Sequence, residues 1–178
     1  MFLAWRLHGS LPVNRSFPAV ATSGKAFVAM DHILDTTRTG PLYLGIPEIA
    51  GMVVDAIQFR EQRQYQLHSY VVMPNHVHLL MTPLVEVSKV TQSLKRFTAR
   101  EGNRMLGLTG QPFWQDESYD RLVRNDREFE KIATYIEMNP VRAGLAATPE
   151  EFRWSSGRPI NNRPQVGNLP HNLVQQLR

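Results

Sequence analysis

The chain contains no cysteine. Disulfides, thiolate zinc sites and a cysteine nucleophile are therefore excluded, and any metal must be held by imidazole, carboxylate or amide ligands. Long apolar runs are missing too: no stretch approaches the roughly 20 residues of a membrane span. Met1-Phe2-Leu3-Ala4-Trp5-Arg6-Leu7-His8 lacks the basic segment and apolar core of a secretory leader. We therefore expect a cytoplasmic protein with no membrane partner. Acidic residues are in slight deficit, 16 against 20 Lys and Arg, for a net charge of +4. That balance suits a polyanionic partner without requiring one. Internal repeats and low-complexity tracts are also absent. What remains is 178 residues, 42% of them hydrophobic, enough for one domain with a real core.

Periodicity orders the elements. Residues 2–8 suit a strand, and 13–25 read as a loop. Phe27, Met30, Ile33 and Leu34 are spaced for a short helix, with 35–45 a connection. Pro47 opens a helix to about Arg63. Residues 65–72 and 76–81 form a hairpin around Pro74-Asn75. Ser88 reads as the N-cap of a helix with Val90, Leu94 and Phe97 on one stripe. A short strand follows at 119–124. A last helix, capped by Asp126, is expected to end near Asn139, because Pro140 disfavours helical backbone in the residue before it. The order predicts an α+β fold: a ferredoxin-like antiparallel sheet with helices packed mainly on one face. The domain is expected over residues 1–156, with 157–178 a poorly ordered tail.

Two stretches carry candidate chemistry. In Asn75-His76-Val77-His78-Leu79, strand alternation puts both imidazoles on one face. Such a pair is half of a metal site, or else two surface histidines. His8, His32, His68 and His171 have no partner at ligand spacing. In the last helix Tyr135 and Asn139 stand four apart and share a face. Together they offer a nucleophile and a third, oxygen ligand, which beside two imidazoles suits Mg²⁺ or Mn²⁺. Alternatively Tyr135 packs in the core and Asn139 caps the helix. Arg96, Arg100 and Arg104, with Lys95 beside them, form a basic stripe: a phosphate-contacting face or an ordinary solvated one. Arg121, Arg124 and Arg142 lie close in sequence to Tyr135 and join Lys95 and the stripe as phosphate-contacting candidates. Trp114 and Tyr119 are candidates for base stacking or for the core.

Met73-Pro74-Asn75-His76-Val77-His78-Leu79-Leu80, Phe113-Trp114-Gln115, Tyr119-Asp120-Arg121-Leu122-Val123-Arg124, Tyr135-Ile136-Glu137-Met138-Asn139-Pro140-Val141-Arg142-Ala143-Gly144-Leu145 and Trp154-Ser155-Ser156 occur in that order. This ordered set resembles the REP-associated tyrosine transposases, of the single-tyrosine HUH superfamily, over residues 2 to 156. The resemblance implies metal ligands at His76, His78 and Asn139, a catalytic Tyr135, a Mg²⁺ or Mn²⁺ cofactor, and single-stranded or hairpin DNA as partner, for which Lys95, Arg96, Arg100, Arg104, Arg121, Arg124 and Arg142 are the DNA-binding candidates. It implies cleavage near hairpin-forming repeats through a 5′-phosphotyrosine intermediate. No base is identified, and Glu137, two residues on from Tyr135, points to another face of the helix. A domesticated hairpin-binding protein with little or no cleavage is the alternative, and a metal-dependent phosphoester hydrolase a third. The protein is a monomer or a homodimer on this reading.

Overall fold

In the computed structural model the described residues are 1–11, 24–36 and 40–157, and within the helix that begins at Gly24 the side chains are described from residue 29 on. The expected tail therefore lies outside them from residue 158, as does most of the loop expected at 13–25.

The four strands are β1 (Phe2–Arg6), β2 (Tyr65–Val72), β3 (His76–Pro83) and β4 (Tyr119–Arg121), and the four helices are α1 (Gly24–Thr36), α2 (Pro47–Phe59), α3 (Val87–Leu106) and α4 (Asp126–Arg142). The strands form one sheet in the order β2-β3-β1-β4, every pair antiparallel. This is the ferredoxin-like order, and β3, which carries the two histidines, is an inner strand paired on both sides.

Alternation along β3 sorts its side chains. Val77, Leu79 and Met81 join Leu3, Trp5, Val53, Ile57, Val90, Leu94 and Phe97 in the larger apolar cluster, so α2 and α3 cover that face. His76, His78 and Leu80 point the other way. There Leu80 packs with Phe2, Ala4, Val71 and Ile136, flanked by Met30, Phe129 and Ile132, so α1 and α4 cover the second face. Both faces thus carry helices. The layering is fuller than the sequence pattern suggests, because α4's apolar side, anchored by fully buried Ile136, finds its place beside the histidines. Burying that one side chain contributes about 1.5–3 kcal/mol. A bulge between Leu67 and Ser69 shifts β2 by one residue, which turns Tyr70 and Val72 onto the α2–α3 side and Val71 onto the α4 side.

Several element ends differ from expectation, each for a local reason. The first helix after the hairpin starts at Val87, with Glu86 rather than Ser88 before it and no side-chain cap. α2 stops at Phe59, and continuation to Arg63 is blocked because Gln62 takes a left-handed φ of 61°. β4 ends at Arg121, since the Arg124 amide is taken by the Glu128 carboxylate at 2.9 Å. The cap of α4 is Asn125, whose Oδ1 accepts from the Glu128 N–H at 2.9 Å, not Asp126. The same helix runs through Pro140 to Arg142 instead of ending at Asn139. Backbone bonds from Ala143 N–H to Asn139 O (3.0 Å) and from Leu145 N–H to Pro140 O (2.8 Å) carry it past the proline. Burial of Asn139 and Ile136 overrides the local preference.

Candidate active site

Three elements meet on the α4 side of the sheet. β3 supplies His76 and His78, α4 supplies Tyr135 and Asn139, and α1 supplies Asp31 and Asp35. The two rings stand 4.7 Å apart by centroid, and His78 also stacks on Phe2 at 5.6 Å. His76, His78, Asp31 and Asn139 are each no more than 1% exposed. Their polar atoms therefore have only one another to face.

Asp31 is the hub. Its Oδ1 lies 3.1 Å from His78 Nε2 and 3.6 Å from His76 Nε2. Its Oδ2 accepts a short hydrogen bond from the Tyr135 hydroxyl and one of 3.5 Å from Asn139 Nδ2. Asp35 Oδ1 stands 3.6 Å from His76 Nε2. Burial alone would raise the Asp31 carboxyl. The nearby His78, then His76 and the Tyr135 hydroxyl, outweigh burial and hold it well below the usual carboxylate range. His76 is pushed down to about 3, first by burial and then by His78, against the pull of Asp31. Tyr135 is raised well above the usual phenol value by burial, by the Asp31 charge and by the hydrogen bond it donates, with Asp35 adding to the effect. The Arg142 guanidinium, 4.9 Å from the centre of the Tyr135 ring, opposes that rise.

Asn75 fixes the tautomer of His76. Its Nδ2 donates to Leu34 O at 3.0 Å, which turns Oδ1 toward His76 Nδ1 at 2.6 Å. The histidine proton then sits on Nδ1, and the Nε2 lone pair faces Asp31 and Asp35. Replacing Asn75 by Ala is expected to destabilise the fold by about 1–3 kcal/mol, because it strands a buried carbonyl and a buried imidazole N–H. A urea-unfolding midpoint equal to that of the parent protein would contradict this.

Some buried polar atoms at the centre lack a hydrogen-bond partner: Asp31 Oδ1, His76 Nε2 and Asn139 Oδ1. All three bear lone pairs, and such convergence is costly unless a cation lies among them. Asp31, His76 and His78 each present a ligand atom within 4.8 Å of the others. Imidazole and carboxylate donors of this kind fit a divalent cation such as Mg²⁺ or Mn²⁺.

His76, His78, Tyr135 and Asn139 are thus brought together as expected, and Arg142 stands beside the tyrosine. The other basic residues do not join them. α3 packs on the opposite face of the sheet, so Arg96, Arg100 and Arg104 do not line the site. Arg100 and Arg104 both bind the carboxylate of Glu101 at 3.0 Å. Lys95 Nζ donates to Gln115 O (2.6 Å), Asp116 O (2.8 Å) and Ser118 Oγ (3.2 Å), and so anchors the loop before β4. Arg121 pairs with Glu128, and Arg124 is exposed at the foot of α4. Trp114 is a core residue, its indole N–H donating to Thr98 Oγ1 at 2.8 Å, and Tyr119 packs edge-on against Phe2. Asp31, Asp35 and Asn75 complete the cluster beyond the residues that sequence spacing singles out. The available signal was a carboxylate at 31 between apolar Met30 and Leu34, repeated one turn later at 35.

The chain is similar to known proteins in sequence and in fold. A family model described as "Transposase IS200 like" matches residues 54–139. That span contains His76, His78, Tyr135 and Asn139 but not α1. The REP-associated tyrosine transposase of Escherichia coli (strain K12) is 25% identical over 100 residues, covering 56% of this chain and 59% of that protein. The chain thus matches somewhat over half the length of that relative. A solved structure of a REP-associated tyrosine transposase bound to a REP hairpin shares the fold, with a TM-score of 0.55 at 18% identity over 94% of this chain and 87% of that one. Among the described residues no helix is long and apolar enough to cross a membrane. The chain is thus similar to the IS200-like transposases over residues 54–139, resembles a REP-associated tyrosine transposase in sequence, and shares the fold of a solved one.

Proposed function

We propose that this protein is a metal-dependent single-strand DNA endonuclease and strand transferase that cuts beside hairpin-forming repeats through a 5′-phosphotyrosine link. The observation that carries the reading is convergence: the Tyr135 hydroxyl and the His76 and His78 Nε2 atoms all meet at one buried carboxylate. A structural tyrosine has no need of two imidazoles on the carboxylate that binds its hydroxyl. The named hairpin partner of the structural relative supports the choice of substrate.

His76 and His78, with an oxygen donor from the same cluster, would hold Mg²⁺ or Mn²⁺. When bound, that ion supplies polarisation of the scissile phosphate and neutralises charge on its non-bridging oxygens. Tyr135 stands ready as the nucleophile. Its hydroxyl is aimed by Asp31 and kept neutral, so the phenol gives up its proton as it attacks. The tyrosine O–P bond forms, the bond to the 3′ oxygen breaks, and that oxygen takes up a proton to leave a 3′-hydroxyl. Arg142, against the tyrosine ring, favours the negative charge that develops on the phenol oxygen. Because the phosphoester bond is exchanged rather than hydrolysed, a 3′-hydroxyl can reverse the step and join strands.

The test is incubation of the full chain with labelled hairpin oligonucleotides carrying a single-stranded flank, in Mn²⁺ or Mg²⁺, followed by a denaturing gel. The expected result is a DNA-linked protein band that a chelator prevents. Hairpin binding with no cut strand in either metal would instead make the protein a binder. Cleavage without any linked band would make it a hydrolase.

A further inference from the structure

We infer that Asp31 is an anionic ligand of the metal, one carboxylate oxygen bound to the ion and the other holding the Tyr135 hydroxyl. The inference rests on the reading of His76 and His78 as metal ligands, and it adds α1 to the site. Asp31 lies outside residues 54–139, so the family match does not bear on it.

The two oxygens of Asp31 are already divided. Oδ2 takes the tyrosine hydroxyl and the Asn139 amide, while Oδ1 faces the Nε2 atoms of His78 and His76. An ion among Oδ1 and the two Nε2 atoms would match the buried charge at that end of the carboxylate. Neighbouring ligands at about 2.1 Å from an octahedral ion stand about 3 Å apart. Oδ1 lies 3.1 Å from His78 Nε2 and 3.6 Å from His76 Nε2, so the donors are already spaced as such neighbours. The element that carries Asp31 is tied to the metal strand as well. Asn75 bridges Leu34 O of α1 and His76 Nδ1, so the histidine is hydrogen-bonded through one side chain to the helix that carries the carboxylate. One side chain thus sets the distance between nucleophile and ion. Asn139, its amide nitrogen turned to Asp31, steadies the carboxylate and keeps Oδ1 available beside it.

Mn²⁺ affinity, read by titration calorimetry without DNA, tests the proposal. Asp31→Asn, nearly isosteric, is expected to weaken Mn²⁺ roughly 100-fold, the upper end of what losing even an outer partner costs. Asp31→Cys gives an independent readout, because the chain has no other cysteine. With Cd²⁺ it should show a thiolate-to-metal absorption band in the ultraviolet that disappears when His76→Ala and His78→Ala are added. The Cys variant carries the test by itself if Asp31→Asn fails to fold. Unchanged Mn²⁺ affinity in a folded Asp31→Asn protein, or Cd²⁺ bound at the histidines with no thiolate band, overturns the role of Asp31. If His76→Ala, His78→Ala in the presence of Asp31 binds Mn²⁺ as the parent does, the underlying metal reading is what fails.

Discussion

Tyr135→Phe is expected to abolish the covalent protein–DNA band and to lower strand cleavage by on the order of 10⁴–10⁶-fold, the scale seen when a sole nucleophile is removed. Hairpin binding should be unchanged within about twofold, on the order of 0.4 kcal/mol. The separation follows from placement. The ring of Tyr135 packs against His78 at 6.0 Å and under Arg142, contacts that phenylalanine keeps, and only the hydroxyl reaches Asp31. Removing it leaves one Asp31 oxygen still bonded to Asn139, so the fold has little to lose. The measurement pairs a gel for the adduct with a binding titration on the same hairpin. A linked band of parental intensity in Tyr135→Phe would exclude it as nucleophile.

The second large effect is expected at the histidines. His76→Ala or His78→Ala should cut cleavage by on the order of 10³-fold, because a Lewis-acid contribution of several kcal/mol converts at about 1.4 kcal/mol per tenfold. Both rings are essentially unexposed, and no other imidazole of the described residues stands within ligand spacing of them. A thermal melt separates this from simple damage. The parent protein should gain melting temperature on adding Mn²⁺, since an ion that binds the folded state alone shifts the equilibrium toward it. Either variant should melt cooperatively yet show no such gain. A variant that still gains the full shift, and cleaves at the parental rate, would remove the imidazoles from the metal.

Much of this site was legible because its signals are local. An HxH in a strand shares a face by geometry alone, and Tyr135 and Asn139 share one by helical pitch. The hairpin limits at Val72 and His76 were legible for the same reason, with Pro74-Asn75 marking the turn. Asp31 was not, because nothing in a helix tells which residue meets a strand more than 40 positions later. The basic stripe on α3 misled for the related reason that helical spacing shows which residues share a face but not which side of the sheet that face serves. Its apolar stripe, Val90, Leu94 and Phe97, docks on the side away from the histidines. Pro140 misled because its cost is local while its compensation, the burial of Asn139 and Ile136, is tertiary.

The pairing of β3 has a consequence for how this protein tolerates change. His76 and His78 stand opposite Arg6 and Ala4 on one side, and Val71 faces His78 on the other. Whether an imidazole meets Asp31 or a leucine does is decided by parity, an odd or even count of residues along one strand. A slip of β3 by one residue against β1 and β2 would present Val77 and Leu79 to the carboxylate and drive both imidazoles into the aliphatic layer under α2. Such a change would cost foldability and chemistry together. The parity of β3 thus serves the aliphatic layer and the carboxylate site at once.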